Sequence, residues 1–204
     1  MGTAKKIWIL SGEASGDVYG AKLARELRLI AAERGETIEI VGMGGPEMRK
    51  ADIDIRVDST ELGVVGVIEV LKHIFTFIGI FFRLVGQAKR ERPGAVVLID
   101  YPGFNLLFAL MMYRHRIPVI WYVCPHLWVW GKWRLPVLAK ICTKMLVIFP
   151  FETEVFAHTK LRTEFVGHPL IDIVADRRIP GVERNPEDFL LLPGSRTMEI
   201  NFLL

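Results

Sequence analysis

Short apolar runs alternate along the chain with longer segments whose apolar residues recur at helical spacing. The runs that predict strands are Lys6–Leu10, Ile38–Val41, Ala95–Asp100, Val119–Val123, Met145–Phe149, Glu164–Val166 and Phe189–Leu192. Their near-continuous apolar character, as in "AVVLI" and "PVIWYV", is typical of strands that are covered on both faces. Between the first two runs, apolar residues from Val18 to Ala31 have the period of an amphipathic helix. The pattern predicts an α/β fold with a doubly wound parallel sheet.

A polar, proline-bearing stretch near the end of the chain indicates a domain boundary. The stretch is "DRRIPGVERNPED", residues 176–188, and the apolar run "FLLLPGSR" follows it. We expect one α/β domain over residues 1–175, a linker over 176–188 and the start of a second α/β domain over 189–204. Because so short a piece cannot build a domain, we expect a fragment of a longer protein or a chain that has lost its second half.

The first predicted strand leads through a glycine-bearing turn into a helix, in the sequence "ILSGEASGDVYGAKLARELR". Such turns commonly hold a phosphate on backbone N–H groups. The glycine spacing matches neither the dinucleotide-binding G-x-G-x-x-G pattern nor a Walker loop, so neither a dinucleotide nor a triphosphate is expected here. Ser15 and Asp17 each have an alternative role as a helix cap. Glu13 has no capping role, and its carboxylate suits the hydroxyl groups of a sugar.

Asp100 ends the apolar strand in "VVLIDYPGFN". A carboxylate at the carboxyl end of a central parallel strand points into the same crevice as the turn after the first strand. Two roles are open at this point. Asp100 could cap the following helix, or it could act as a general base toward a ligand hydroxyl.

The segment "VIEVLKHIFTFIGIFFRLVGQAKRER", residues 67–92, contains an apolar run that is too short to span a bilayer. A helix buried in the core would explain the run. A helix lying in a membrane surface would explain it nearly as well, because basic residues follow the run. These are Arg83, Lys89, Arg90 and Arg92. In the membrane interpretation, the contact residues are Ile74, Phe75, Phe77, Ile78, Phe81, Phe82 and Arg83.

Composition narrows the class of protein. The chain has 204 residues, of which 51% are apolar and 24% charged, so it is globular. A formal net charge of +3 is well short of the basic surface of a nucleic-acid-binding protein, and no nucleic acid partner is expected. Cys124 and Cys142 form no C-x-x-C pair, and with no signal peptide they predict a reducing cytoplasm. No His/Cys/Asp spacing predicts a metal site.

Several motifs together carry a family resemblance. In chain order they are "SGEASGDVYGA", "GMGGPEM", "LGVVGVIEVL", "IDYPGFN", "YVCPHLWVW", "FPFETEVF", "FVGHPLID" and "LLPGSRTMEI". In their order and rough spacing over residues 7–200, these motifs resemble the lipid A disaccharide synthase family. The chain is similar to the amino-terminal half of that enzyme and the start of its carboxyl-terminal domain.

The resemblance implies an inverting glycosyltransferase of the two-Rossmann-domain (GT-B) type, with the acceptor domain in this chain. The family joins UDP-2,3-diacylglucosamine to 2,3-diacylglucosamine 1-phosphate, forming the lipid A disaccharide and UDP without a cofactor. Asp100 matches the catalytic base, and Arg196 and Glu199 match donor-side residues. Acceptor binding is implied for Glu13, Ser15, Gly16, Asp17, Glu69 and Asn105. The implied location is peripheral, on the cytoplasmic face of the inner membrane, and a homodimer is left open.

The chain departs from the family in three ways. In one of them, "CPHLW" stands where "SPSVW" is commoner, so a role of that serine does not carry over and His126 is unassigned. Gly103 replaces the second acid of the common "IDAPDFN" form, so that acid is not essential here. The residues expected to hold most of the nucleotide lie beyond Leu204, and we expect the chain alone to be inactive. Two alternatives remain: a membrane-surface lipid-binding half-enzyme, and another GT-B transferase that acts on a lipid-linked sugar.

Overall fold

A computed structural model describes residues 5–59, 67–125, 131–176 and 187. The chain divides into two compact units, Met1–Gly167 and His168–Leu204. The first unit holds the sheet and its helices, and the described part of the second is mainly one helix. The predicted strand Phe189–Leu192 and most of the predicted linker lie outside the described residues.

Across the described residues, the first unit is built on a seven-stranded sheet in which every pairing is parallel. Its strands are β1 (Lys5–Ser11), β2 (Ile38–Gly44), β3 (Asp54–Asp58), β4 (Ala95–Ile99), β5 (Val119–Tyr122), β6 (Lys144–Val147) and β7 (Arg162–Phe165). They lie in the order β3-β2-β1-β4-β5-β6-β7. The predicted α/β fold with a Rossmann-like parallel sheet is confirmed.

Helices connect the strands. They are α1 (Ala14–Glu33), α2 (Pro46–Lys50), α3 (Val67–Glu91), α4 (Pro102–Arg114), α5 (Leu135–Ile141) and α6 (Glu152–Phe156), with a 3₁₀ turn at Lys132–Arg134; α7 (Pro169–Asp176) belongs to the second unit. The predicted helix between the first two strands is therefore α1.

Successive strand residues face opposite sides of the sheet, so the unit has two cores. Trp8 lies in one core, together with Leu84 of α3, Phe108 of α4 and Leu138 of α5. Its neighbour Ile9 lies in the other core, with buried side chains of α1 and α2. Helices thus cover both faces of the sheet, which explains the near-continuous apolar runs of its central strands.

Strand β3 was not predicted from the sequence. Its sequence, "DIRVD", alternates charged and apolar residues, and Val57 is its one buried residue. β3 lies at the edge of the sheet, where one side of the strand has no neighbouring strand to cover it. Because the prediction depended on continuous apolar runs, it missed a strand of this alternating kind.

The direction in which successive strands are added to the sheet reverses between β1 and β4. From β1 the chain winds outward through β2 and β3, then returns to β4 on the other side. Ser11, the last residue of β1, pairs with Ile99, the last residue of β4. The turns after these two strands therefore adjoin at the carboxyl edge of the sheet, where open α/β sheets bind their ligands.

Candidate active site

The turn after β1, residues 11–17, is called here the β1 turn, and the turn after β4, residues 100–105, the β4 turn. Tyr101 of the β4 turn packs its ring directly on the backbone of Gly12. A Cβ atom at Gly12 would lie 2.3 Å from two carbons of that ring. The close approach explains why residue 12 is a glycine, and it holds the two turns together.

Asp100 begins the β4 turn in an unusual backbone conformation. Its φ is 46°, and Tyr101 follows with φ 49°, so two consecutive non-glycine residues are left-handed. Each such residue costs on the order of 1–3 kcal/mol, and strain of this kind concentrates at functional sites. The backbone N–H of Asp100 donates to the carbonyl of Tyr122 at 3.1 Å. The Asp100 residue is partly exposed at the carboxyl edge of the sheet.

Asn105 stabilises this strained turn through hydrogen bonds to backbone carbonyls. The side chain is fully buried, and its amide nitrogen donates to the carbonyls of Asp100 at 2.7 Å and Ile99 at 3.3 Å. Two backbone carbonyls, one buried and one partly buried, accept a hydrogen bond in this way. Acceptor binding by Asn105 stays a prediction, but the observed contacts give it a positioning role behind Asp100.

Asp17 has a structural role that joins two of the sequence motifs. The residue is 4% exposed, and its carboxylate accepts hydrogen bonds from the backbone N–H groups of Gly45 (2.7 Å), Glu47 (2.9 Å) and Met48 (3.0 Å). These groups lie at the amino terminus of α2, so Asp17 of "GEASGD" caps the helix of "GGPEM". Neither Asp17 nor Ser15 caps α1, because both lie within the helix; Glu13 occupies the N-cap position, but its side chain makes no capping hydrogen bond.

The other predicted ligands of the β1 turn differ in exposure. Glu13 and Ser15 are exposed, whereas Gly16 is buried. A Cβ at Gly16 would lie 2.5 Å from Oγ of Ser11 and 3.3 Å from a methyl carbon of Ile99. The first turn of α1 therefore packs against the ends of both strands, and its exposed side chains face outward at the carboxyl edge.

Two tyrosines that the sequence analysis did not select complete the cluster. Burial raises the pKa of Tyr101, and the negative charge of Glu13 raises it further. Burial raises the pKa of Tyr19 as well, with a second contribution from Asp100. The Tyr19 ring lies 6.4 Å from that of Tyr122, between centroids. Glu13 and Asp100 thus each have a tyrosine hydroxyl nearby, and the raised pKa of that hydroxyl keeps it protonated well above neutral pH.

Helix α3 has one face packed against the core and another that is exposed, and the predicted membrane contact of the exposed face stays a prediction. Phe77 and Phe81 are partly buried and pack against the core. Phe75, Ile78 and Phe82 are 84%, 45% and 61% exposed, and their spacing places them on one stripe of the helix. Arg83 is also exposed. The side chains of Glu69 and Ile74 lie outside the described residues, so their predicted roles stay predictions.

Glu152 is a buried acid that sequence reasoning missed. It follows β6 at the carboxyl edge, is 1% exposed, and accepts from the backbone N–H groups of Ile148 (3.0 Å) and Phe149 (2.8 Å). Its charge contributes, after burial, to raising the pKa of the buried Cys124 thiol. Burial raises the pKa of Cys142 to about 12. Both cysteines are free thiols.

Residues 189–204, which include the predicted donor-side Arg196 and Glu199, lie outside the described residues. In the described part of the chain, no helix is both long and apolar enough to cross a membrane. Across the same residues, no group of three or more His, Cys, Asp or Glu side chains could hold a metal ion.

The fold and the paired turns define an α/β domain whose candidate ligand site is the point where the strand order reverses. The model of the LpxB family, lipid-A-disaccharide synthetase, matches residues 7–204. The chain therefore belongs to the lipid-A-disaccharide synthetase family.

Curated relatives of the chain agree with this family. The lipid-A-disaccharide synthase of Koribacter versatilis is 39% identical over 206 residues, covering 98% of this chain and 53% of the relative. That of Geobacter sulfurreducens is 39% identical over 196 residues, covering 96% and 50%. The chain spans about half the length of these curated relatives. Among solved structures, a Glycyrrhiza uralensis UGT73P12 complex has a TM-score of 0.47 at 10% identity, with 81% of this chain and 49% of that chain covered.

Proposed function

We propose that the whole protein is an inverting, GT-B-type glycosyltransferase that joins UDP-2,3-diacylglucosamine to 2,3-diacylglucosamine 1-phosphate. The products are the lipid A disaccharide 1-phosphate and UDP. Residues 1–175 of this chain bind the acceptor lipid, 176–188 form a linker, and 189–204 begin the donor-binding domain. Membership of the family supports this proposal.

The observation that carries the proposal is the position of Asp100. The acid lies at the carboxyl edge between β1 and β4, in a strained turn supported by Asn105. In the proposed mechanism its carboxylate takes the proton of the acceptor 6-hydroxyl as that oxygen attacks the anomeric carbon from the face opposite UDP. Inversion follows because one displacement reverses the configuration.

The β1 turn has the chemistry to hold the rest of the acceptor sugar. The N–H groups in the first turn of any helix lack intrahelical acceptors and favour an anion, which suits the 1-phosphate. Helix α1 begins at Ala14, directly after the exposed Glu13. Glu13 and Ser15 then serve the sugar hydroxyls. Asp17 acts indirectly, by holding α2 against the turn.

The exposed stripe of α3, formed by Phe75, Ile78 and Phe82, docks the protein on the cytoplasmic face of the inner membrane. Apolar side chains enter the head-group region, and Arg83 meets anionic lipid, where each base contributes about 1 kcal/mol. Phe77 and Phe81 are left out of this contact, because both are partly buried in the core. Docking brings the acceptor site to a substrate that resides in the membrane.

The test is an assay of the complete protein with both lipid substrates, following UDP release and disaccharide formation. The complete protein is expected to form the disaccharide, and the 204-residue chain alone is expected to form none, because Arg196 and Glu199 need the remainder of the donor domain. A complete protein that binds the acceptor but forms no disaccharide would contradict the proposal and favour a lipid-binding role.

A further inference from the structure

A row of four aromatic rings connects the exposed stripe of α3 to the β1 turn. Its members, called here the aromatic row, are Phe82, Phe81, Phe104 and Tyr101. Ring centroids are 5.5 Å apart from Phe82 to Phe81, 5.4 Å from Phe81 to Phe104, and 6.1 Å from Phe104 to Tyr101. The Tyr101 ring lies on the backbone of Gly12. The row is therefore continuous from one helix to the candidate active site.

The aromatic row is a surface band supported by the core. Phe82 is 61% exposed, and the other three residues are partly buried. Beneath them lies Phe108, which is fully buried and stacks on Phe104 with centroids 6.1 Å apart and ring planes 13° apart. A fully buried row would need no ligand. A band of partly exposed rings leaves apolar area in contact with water, which is unfavourable unless something covers it.

The two ends of the aromatic row identify what covers it. One end meets the β1 and β4 turns, which carry Glu13 and Asp100. The other end continues into the exposed Phe75 and Ile78. Beside the row, Gly103 is exposed, and a Cβ atom there would meet nothing within 4 Å. The band thus leads from polar groups suited to a sugar to an apolar surface suited to a membrane, with open space at its side.

We propose that the aromatic row binds one acyl chain of the acceptor lipid, with the sugar end at the β4 turn and the chain end at the membrane. This inference rests on the proposed function, since it requires an acylated sugar at Asp100. A chain that follows the row stays out of water along its whole path. Each methylene removed from water contributes roughly fourfold in affinity, so the row favours long-chain acceptors over short ones.

The test compares two acceptors on the complete protein in detergent micelles: glucosamine 1-phosphate carrying two acetyl groups, and the same sugar carrying two lauroyl groups. Phe104→Leu removes ring contact while keeping an apolar side chain. We expect it to weaken equilibrium binding of the lauroyl acceptor roughly tenfold and binding of the acetyl acceptor less than twofold. Phe82→Ser should show the same dependence on chain length. Because Phe82 is exposed, we expect this substitution to leave the fold intact. Equal losses for both acceptors, or no loss for either, would overturn the inference.

Two controls separate the aromatic row from other effects. Leu29→Ser changes a residue of α1 that is 58% exposed and is expected to leave both affinities unchanged. Binding to anionic phospholipid vesicles should fall for Phe82→Ser and stay unchanged for Phe104→Leu. An equal fall for both variants would mean that the aromatic row contacts the membrane and is not a separate acyl-chain site. Because binding is measured without turnover, chain-length dependence without disaccharide formation would refute the proposed function and leave the row supported.

Discussion

The β1 turn and the β4 turn adjoin at one edge of the sheet, yet they use their acids differently. In the β1 turn, Asp17 is buried, and its carboxylate accepts three backbone hydrogen bonds. No residue from 11 to 17 has a positive φ. In the β4 turn, Asp100 is partly exposed, and it shares with Tyr101 a strained, left-handed backbone.

We propose that this difference distinguishes an acid that stabilises the fold from an acid that acts on the substrate. A carboxylate whose oxygens are occupied by backbone N–H groups stabilises the fold and has little capacity left for a substrate. An acid held partly exposed on a strained backbone lowers the stability of the free protein, and such strain is retained where function requires it. The comparison predicts opposite outcomes when the acid of one turn or of the other is substituted.

The largest expected effect is that of Asp100→Asn on turnover of the complete protein. Asparagine tolerates the left-handed conformation, so the turn should persist while the base is lost. We expect kcat to fall roughly 10²–10⁴-fold with little change in KM for the acceptor. Steady-state kinetics measure kcat and KM, and circular dichroism checks that the fold persists. A fall in kcat matched by an equal rise in KM would contradict the assignment of Asp100 as the base.

Asp17→Ala should have the opposite profile. Losing three hydrogen bonds to a buried carboxylate is expected to lower the free energy of unfolding by about 3 kcal/mol. The kcat of the protein that remains folded should change by less than about threefold, because Asp17 contacts α2 and is not the proposed base. Urea denaturation, with kinetics at a temperature where the variant is folded, checks both numbers. Wild-type stability with lost activity would reverse the roles assigned to the two acids.

Asn105→Ala should combine the two profiles on a smaller scale. The carbonyls of Ile99 and Asp100 lose their side-chain donor, which is expected to cost about 2 kcal/mol of stability, and kcat should fall as Asp100 loses its support. A double variant with Asp100→Asn distinguishes positioning from direct participation. If Asn105 acts through Asp100, its substitution lowers kcat no further once the acid is absent. Additive losses in the double variant would give Asn105 an independent role.

The smallest effect tests the contact between the turns. Gly12→Ala places a methyl group against the Tyr101 ring and is expected to cost about 1–2 kcal/mol, because the ring must move. Gly103→Ala is the matched control in the adjoining turn: nothing lies within 4 Å of its new methyl group, so a change below about 0.5 kcal/mol is expected. Denaturation curves give the stabilities, and near-UV circular dichroism reports the tyrosine. Equal effects at both glycines would mean that the Tyr101 contact contributes little.

The sheet was predictable because its central strands are apolar on both faces. The position of Asp100 directly after β4 was also predictable from local sequence, since parallel strands end at a common edge, whereas its role stays a prediction. The partners of Asp17 were not found. They lie 28 to 31 residues away along the chain, and no local pattern connects the two segments. Likewise, the sequence does not indicate that Tyr101 lies on Gly12.

Helix α3 illustrates a different limit. Its apolar run suits a core helix and a membrane-surface helix alike, so the sequence leaves both interpretations open. In the fold, Phe81 packs toward α4 while its neighbour Phe82 is exposed. Composition alone does not separate adjacent phenylalanines. The position of the neighbouring helix decides which of them is covered.

The charged character of β3 has a consequence for how the protein behaves in a crowded solution. β3 and β7 end the described sheet, and an edge strand offers unpaired backbone groups to any other strand. Arg56 pairs with Asp54 within β3 at 2.9 Å, and at the opposite edge Lys144 pairs with Glu164 of β7 at 2.6 Å. An approaching strand would have to desolvate these charges. The edges of the sheet therefore oppose the aggregation that its apolar central strands would favour if they were exposed.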